Sequence, residues 1–366
     1  MKILQIHTKM VSGGIEAIVC GLANEMSKSH DVTMCTIFQP NKDDVFYEKL
    51  ASRVTKHTIG KKNFGFSVAE IFKIFRYIKD GNFDVVHVHG CFQYYFLAML
   101  LLHKKVKFFY TIHSDAKMEN QKWDWKLFKL KRFMFAHRWV TPVTISNASQ
   151  LSFTQLYHCP SELVYNGTPK PVIDNSIDLV GNYRYSPETK LFLHAGRISQ
   201  PKNQVVLCRT FQRLIDEGRD VVLLIAGSAE NKDIYNEISC YLSDRIVYLG
   251  ERSDVPSLFA ECDAFCLPSI WEGLPVSMLE ALSVGCIPIC SPVGGIPDVI
   301  KDGENGILSK SSSLEDYYYA VMRFISMSKQ ERDEMCRLAS TSFQKYDIEN
   351  SAKHYLDLYE RTMNKV

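Results

Sequence analysis

Hydrophobic positions along this chain switch repeatedly between strand and helix periods. Lys2–His7 (KILQIH) is an apolar run of strand length. After it, Ile15, Ile18, Val19, Leu22 and Met26 fall on one helical face. Asp31–Phe38 (DVTMCTIF) reads as a second strand. Strand, glycine turn, helix, strand is the opening of a doubly wound parallel sheet. Ile71–Ile78 is apolar at helical spacing, and strands follow at Phe83–Gly90 (FDVVHVHG), Lys107–Asp115 (KFFYTIHSD) and from Trp139. Ser146-Asn147 is a helix cap. ELVYNGTPKPV (Glu162–Val172) closes this unit, with Asn166-Gly167 as a turn dipeptide.

The pattern restarts near Lys190. LFLHAGRIS (Leu191–Ser199) runs from a strand into a loop, and Val205–Ile215 is a helix. Asp220–Ala226, Arg245–Arg252 and Asp263–Ser269 are further strands. Pro275 suits the first turn of a helix that carries Glu280, and CIPIC (Cys286–Cys290) is a buried strand. Helices continue from about Leu314, and a last one over Asn350–Met363 shows Tyr355, Leu358, Tyr359 and Met363 on one face. The polar segment with Pro169, Pro171, Asn175, Asn182 and Pro187 reads as the linker. The expected division is a first Rossmann-like domain over 1–172, a second over 173–345, and a terminal helix over 346–366.

Composition narrows the class. At 366 residues with 46% hydrophobic content, the chain can bury two cores. A net charge of +2 gives no basic field for nucleic acid, so no nucleic-acid partner is expected. No stretch approaches the roughly 20 apolar residues of a membrane span. The 11 cysteines are scattered, several in apolar strand-like runs, and read as reduced cytosolic thiols. Cys262/Cys266 and Cys286/Cys290 have the wrong spacing for a metal knuckle, and His87 and His89 read as polar residues at a strand end near a cleft. No metal is expected.

One stretch departs from this neutrality. Trp123–Trp139 (WDWKLFKLKRFMFAHRW) combines Lys126, Lys129, Lys131, Arg132 and Arg138 with six large aromatics, including Trp125, Phe128, Phe133 and Phe135. Such a helix suits a membrane surface, and it equally suits packing on the sheet with lysine stems over apolar surface.

The candidate chemistry centres on Pro268–Asp298, PSIWEGLPVSMLEALSVGCIPICSPVGGIPD. Glu272 falls in a loop before a helix and Glu280 inside it, with an anion-favouring helix start between them. Upstream, Arg197 and Lys202 flank the QPKNQ loop at another helix start, where two cations would hold a diphosphate. Gly13-Gly14 follows the first strand, and His113-Ser114 ends another. No Asp-x-Asp occurs anywhere in the sequence.

Together GGIE, TIHS, YNG, GRIS-x-x-KN and Glu272-x7-Glu280 followed by GGIP resemble the signature of retaining GT-B glycosyltransferases of family GT4. The resemblance covers essentially the full chain. It implies two doubly wound α/β domains facing a cleft, and a terminal helix crossing back to the first. It implies a nucleotide-sugar donor, in this family commonly a UDP-sugar, and a glycan or lipid-linked acceptor in cell-surface polysaccharide synthesis. The donor is a substrate, so no cofactor is expected. On this reading Gly13 and Gly14 face the diphosphate, Arg197 and Lys202 stabilise it, and Gly250 and Arg252 border the base. Glu272, Gly273, Leu274, Pro275 and Val276 meet the donor sugar, Glu280 the ribose, and His113 the sugar and the reaction centre. Glu16, Ser114 and Asn166 fall on the acceptor side. Asp298 stands where many members carry Glu. The expected location is cytoplasmic, at the inner face of the membrane if 123–139 binds it. A nucleotide-sugar 2-epimerase of the same fold and a catalytically silent binding scaffold are the alternatives.

Overall fold

The structure is a computed structural model that describes residues 1–63, 65, 67–119, 124–173 and 178–364. Trp123 and Asn175 lie outside the described residues, as does the side chain of Trp125. The chain divides into two units, Met1–Pro169 with Tyr346–Val366, and Lys170–Lys345.

The first unit is built on seven parallel strands: β1 (Lys2–His7), β2 (Asp31–Phe38), β3 (Thr55–Lys61), β4 (Val85–His89), β5 (Lys107–Ile112), β6 (Val140–Thr144) and β7 (Glu162–Leu163). Their order is β3-β2-β1-β4-β5-β6-β7. Helices α1 (Gly14–Met26), α2 (Val45–Glu48), α3 (Val68–Asp80), α4 (Phe96–Leu102), α5 (Ala116–Glu119), α6 (Phe128–Ala136) and α7 (Asn147–Tyr157) connect them. The central strands are buried along nearly their whole length, as parallel strands covered on both faces must be. β3 leaves little sequence signal because it is an edge strand, TKHTIGK, with its first two residues exposed and only Ile59 and Lys61 buried. Ser146 caps α7 as expected: it accepts from Ser149 N at 3.1 Å, and Ser149 Oγ accepts from Ser146 N at 3.0 Å.

Helix α6 corrects one expectation. Met134 and Phe135 are buried in the sheet-covering core, which is the packing alternative for this stretch. Lys131 is only 1% exposed and lies beneath the surface, donating to Tyr110 Oη at 3.2 Å, with its ammonium 4.3 Å from the Tyr110 ring centre. It is therefore no surface cation. Lys126, Lys129, Arg132 and Phe133 remain exposed.

The second unit carries β8 (Lys190–Ala195), β9 (Val221–Ala226), β10 (Ile246–Gly250), β11 (Ala264–Leu267), β12 (Ile287–Cys290) and β13 (Ile307–Leu308), in the order β10-β9-β8-β11-β12-β13. Its helices are α8 (Gln204–Asp216), α9 (Lys232–Ser239), α10 (Val255–Glu261), α11 (Val276–Ser283), α12 (Ile296–Val299), α13 (Leu314–Ser326) and α14 (Lys329–Phe343). Part of the expected linker belongs to this unit. Leu179 N donates to Glu261 Oε2 at 3.1 Å, and Arg184 reaches Asp263 Oδ2 at 3.2 Å and Glu261 O at 3.0 Å.

The last helix, α15 (Ile348–Met363), packs in the first unit. Here Asn166-Gly167 proves not to be a turn. Thr168 bridges to Asp347, and a Cβ on Gly167 would stand 2.8 Å from Asp347 O and from Ser351 Cβ. Glycine is needed for close approach of α15, not for a left-handed conformation. Asn166 is 3% exposed, so it presents almost nothing to an acceptor.

Both strand orders reverse direction once, beside β1 and β4 in one sheet and beside β8 and β11 in the other. Ligands of doubly wound sheets bind beyond the carboxyl ends of the strands at such switch points. The loops that leave β1, β8 and β11 carry Gly13, Gly14, Arg197, Lys202 and Glu272.

Candidate active site

In the second unit, the loop after β8 carries Arg197 and Lys202, and the loop after β11 carries Glu272. The first loop is held from beneath. Gln204, buried at the start of α8, donates through Nε2 to Arg197 O at 2.8 Å and to His194 Nε2 at 3.1 Å. Its Oε1 accepts from Ser199 N at 3.2 Å. His194 Nδ1 donates to Cys266 O at 2.8 Å, which leaves Nε2 bare to accept from Gln204. Burial pushes His194 down to about 4, against the opposing effect of that carbonyl, so the ring is neutral at pH 7. A Cβ on Gly227 would overlap Gly196 O, so the turns after β8 and β9 touch through backbone alone.

Above this base the Arg197 side chain is exposed, and its guanidinium has no hydrogen-bond or ion-pair partner among the described residues. Lys202 differs. Its Nζ donates to Glu272 Oε1 at 2.7 Å, and Ser269 Oγ donates to the same oxygen at 2.6 Å. The two charged side chains are 22% and 10% exposed. Asn203, left-handed at φ 59°, ties the two loops together by donating to Pro268 O at 3.0 Å. Ile270 N donates to Pro201 O at 2.8 Å. The structure thus brings Lys202 and Glu272, 70 residues apart, into one ion pair.

The Glu272 loop is shaped by the GGIP turn. Gly295 N donates to Gly273 O at 2.6 Å. Gly294 has φ 58°, and a Cβ there would overlap Glu272 O. Gly294→Ala therefore meets both left-handed strain and a backbone clash. We expect it to lower stability by about 1–3 kcal/mol and to displace Glu272, read as a fall in melting temperature together with weaker nucleotide binding. Pro275 is the N-cap of α11 (φ −71°, ψ 124°) and not its first helical residue, Val276. Glu280 is the fifth residue of the helix, partly buried, and Leu274 is buried, so only the backbone of Leu274 is offered. The unpaired N–H groups at this start suit an anion.

Gly250, at φ 72°, ends β10 and accepts from Gly227 N at 2.8 Å. The Arg252 guanidinium is engaged by Asp254, at 2.8 Å from Nε to Oδ1. Its side chain is thus committed to a neighbour, while Glu251 before it is exposed.

In the first unit, Gly13 is extended at φ 179° and caps α1, which starts at Gly14, so the pair is no tight turn. A Cβ on Gly13 would overlap the Glu16 carboxylate, which folds back over the helix start. Glu16 Oε1 lies 3.2 Å from His7 Nε2, and His7 Nδ1 lies 2.9 Å from His89 O. His113, just beyond β5, has Nε2 2.9 Å from His89 Nδ1. Its own Nδ1 is buried without a partner among the described residues. Burial, with the charge of His7 adding to it, pushes His113 down to about 3. His87 and His89, expected near a cleft, are instead fully interior and held well below their ordinary value by burial. Ser114 is partly buried and donates to Asp115 O at 3.4 Å. Among the described residues, no three His, Cys, Asp or Glu side chains converge as metal ligands.

Sequence reasoning missed Gln204, Gln5, His7 and Tyr359. A signal existed. β1 and β4 carry polar residues at alternate positions toward their carboxyl ends, and β5 joins the pattern with Thr111 and, just beyond the strand, His113; Gln5 stands opposite His87 and His89 opposite Thr111.

Two family models match the chain in succession. Residues 12–169 match Glycosyltransferase Family 4, and residues 182–340 match Glycosyl transferases group 1. The chain is a GT4-type glycosyltransferase of GT-B fold. A Klebsiella pneumoniae protein described as an uncharacterized 41.2 kDa protein in the cps region is 23% identical to this glycosyltransferase, over 98% of this chain and 99% of its own. The UDP-Gal:alpha-D-GlcNAc-diphosphoundecaprenol alpha-1,3-galactosyltransferase of Escherichia coli is 31% identical over 138 residues, 36% of either chain. Anabaena HepE, solved in complex with UDP and glucose, superposes with a TM-score of 0.77 at 17% identity, covering 99% of this chain and 100% of that one. That likeness establishes the fold.

Proposed function

We propose that this glycosyltransferase moves a sugar from a UDP-sugar to a lipid-linked saccharide with retention of anomeric configuration and without a metal ion, as a step in building a cell-surface polysaccharide. The observation that carries this reading is the Arg197 guanidinium, a cation with no partner among the described residues, on the same loop as Lys202 after β8. Fixed cations there offset the charge that develops on a departing diphosphate, a task a divalent ion performs elsewhere. Lys202 is preorganised by Glu272 and turns toward the phosphate when the donor sugar takes over the carboxylate. Glu280 accepts from the ribose hydroxyls, the backbone of Gly273–Val276 lines the donor, and Gly250–Arg252 borders the base. Gly13, Gly14 and the Glu16–His7 pair serve the substrate at the first unit, as do His113 and Ser114. The leaving phosphate takes the acceptor proton on the same face of the sugar.

The lipid-linked acceptor is supported by the Escherichia coli relative and by a Campylobacter jejuni relative named for an N-acetylgalactosaminyl transfer to a diphospho-undecaprenol acceptor, 31% identical over 144 residues. The UDP donor is supported by the names of those solved with it. No helix among the described residues is long and apolar enough to cross a membrane. Lys126, Lys129 and Arg132 beside exposed Phe133 suit contact with an anionic membrane at its cytoplasmic face. Replacing those three cations by Ser is expected to abolish sedimentation with anionic liposomes while leaving the melting temperature unchanged. Unchanged partitioning would show that these cations make no membrane contact.

The test of the reaction is transfer from a panel of UDP-sugars to undecaprenyl-diphosphate-linked GlcNAc in EDTA, with the new linkage read by NMR. An α-linked product from an α-linked donor is expected. A β-linked product, or a requirement for Mg²⁺, contradicts the proposal. UDP-GlcNAc without acceptor separates an epimerase, which would convert it, from a transferase, which would not.

A further inference from the structure

The polar face shared by β1, β4 and β5 forms one continuous hydrogen-bonded chain that ends at His113. Its proton positions follow from the chemistry of its members. Met26 Sδ can only accept, and it lies 3.5 Å from Gln5 Nε2, with Tyr359 Oη 3.4 Å from the same nitrogen. The amide oxygen of Gln5 therefore faces His89 Nε2, at 2.8 Å, and His89 donates there. A neutral imidazole has one N–H, so His89 Nδ1 is bare and accepts from His113 Nε2 at 2.9 Å. His113 then carries its proton on Nε2, and its Nδ1 is an acceptor lone pair, buried and without a partner among the described residues. On the far side, Tyr359 Oη accepts from Gln5 and gives its own proton to His87 Nδ1 at 2.6 Å. His87 Nε2 donates to Thr111 Oγ1 at 2.6 Å, and Thr111 in turn lies 3.2 Å from Tyr355 Oη. Burial keeps His87, His89 and His113 neutral at pH 7, as this assignment requires.

We propose that Gln5, His89 and Tyr359 are positioning residues that hold His113 as its Nε2–H tautomer, so that Nδ1 accepts a hydrogen bond from a hydroxyl of the bound sugar. The inference rests on the substrate-contacting place given to His113 above. A bare lone pair attracts a hydroxyl and repels a phosphate oxygen, so the network also discriminates: His113 recognises sugar, not diphosphate. It gives α15 a part in the site, since Tyr359 anchors the chain from more than 350 residues away. Groups facing the network from the other packed elements are His7 with Glu16 on one side and Tyr355 on the other.

The test is ¹⁵N NMR of histidine side chains in the full-length protein, with His113 and His89 assigned from single variants. Wild type is expected to show both rings as Nε2–H tautomers. Gln5→Leu removes the acceptor for His89 and is expected to convert His113 to a mixture of tautomers. It is also expected to lower kcat by about 10- to 100-fold with KM for the UDP-sugar within about twofold. Tyr359→Phe, which keeps the ring packed in α15, is expected to move both readouts the same way to a lesser degree, and it decides the matter if Gln5→Leu fails to fold. Asn at position 113 places an acceptor where Nδ1 stands and Gln does not, so His113→Asn should retain more activity than His113→Gln. An Nδ1–H tautomer at His113 in wild type overturns the proposal, as does a tautomer unmoved by both variants. If the tautomers are as expected but wild type turns over no nucleotide sugar, the functional reading has failed and the network assignment stands.

Discussion

Arg197→Ala lowers kcat for sugar transfer by about 10²–10³-fold, the loss expected when one preorganised donor to developing charge is removed, and leaves the melting temperature unchanged. The two halves of this result come from different features of one loop. Nothing in the fold depends on the guanidinium, which is exposed and unpaired among the described residues. The loop is shaped instead by its backbone, with Arg197 O accepting from Gln204 and Ser199 N donating to it. Lys202→Ala gives a contrasting pattern. It strips Glu272 of its cation and leaves Ser269 as the remaining donor to the carboxylate oxygen. A partly buried carboxylate that loses its partner is destabilising, so Lys202→Ala lowers both kcat and the melting temperature. Rates and thermal melts of the two variants side by side check this. Equal loss of stability in both would show that Arg197 is structural.

Acid is expected to unfold the first unit before the second. The sign follows from linkage. His87, His89 and His113 are buried neutral, so their folded pKa values lie below the unfolded value near 6.5, and the unfolded chain binds more protons between the two. Stability is therefore fully present above about pH 6.5 and falls as pH drops toward the folded values, about 3 for His113. Each such group costs at most about 1.4 kcal/mol per pH unit in that window, so three together cost up to about 4 kcal/mol per unit. A domain stability of about 5–15 kcal/mol is exhausted within a few pH units. Among the described residues the second unit contains one comparable histidine, His194, held at about 4. Calorimetry between pH 7 and pH 4.5 is expected to resolve two transitions, with the lower one moving fastest. Two transitions that shift in parallel contradict the assignment of buried neutral histidines to the first unit.

Much of this was legible in the sequence because parallel strands covered on both faces leave a plain signal. KILQIH, DVTMCTIF and DVVLLIA match the observed strands to within a residue. β3 was silent because an edge strand needs only one apolar face. The site was legible where a role belongs to a short string, as in GRIS-x-x-KN and Glu272-x7-Glu280. It was not legible where the role depends on distant segments meeting. The Lys202–Glu272 pair spans two loops, and Tyr359 reaches Gln5 from the opposite end of the chain. Asn166-Gly167 misled because glycine there admits the backbone of α15, while the same dipeptide elsewhere makes a turn. Lys131 misled because composition cannot show which lysine of a basic helix turns inward.

The diphosphate site is tested by calorimetric titration of UDP into the wild type, Arg197→Ala and Glu280→Ala, each in EDTA and in Mg²⁺. Binding to the wild type is expected to be the same in EDTA as in Mg²⁺, weakened in Arg197→Ala and abolished in Glu280→Ala. Binding that appears only with Mg²⁺, or that is indifferent to Arg197, would contradict a diphosphate site built from the cations of the β8 loop.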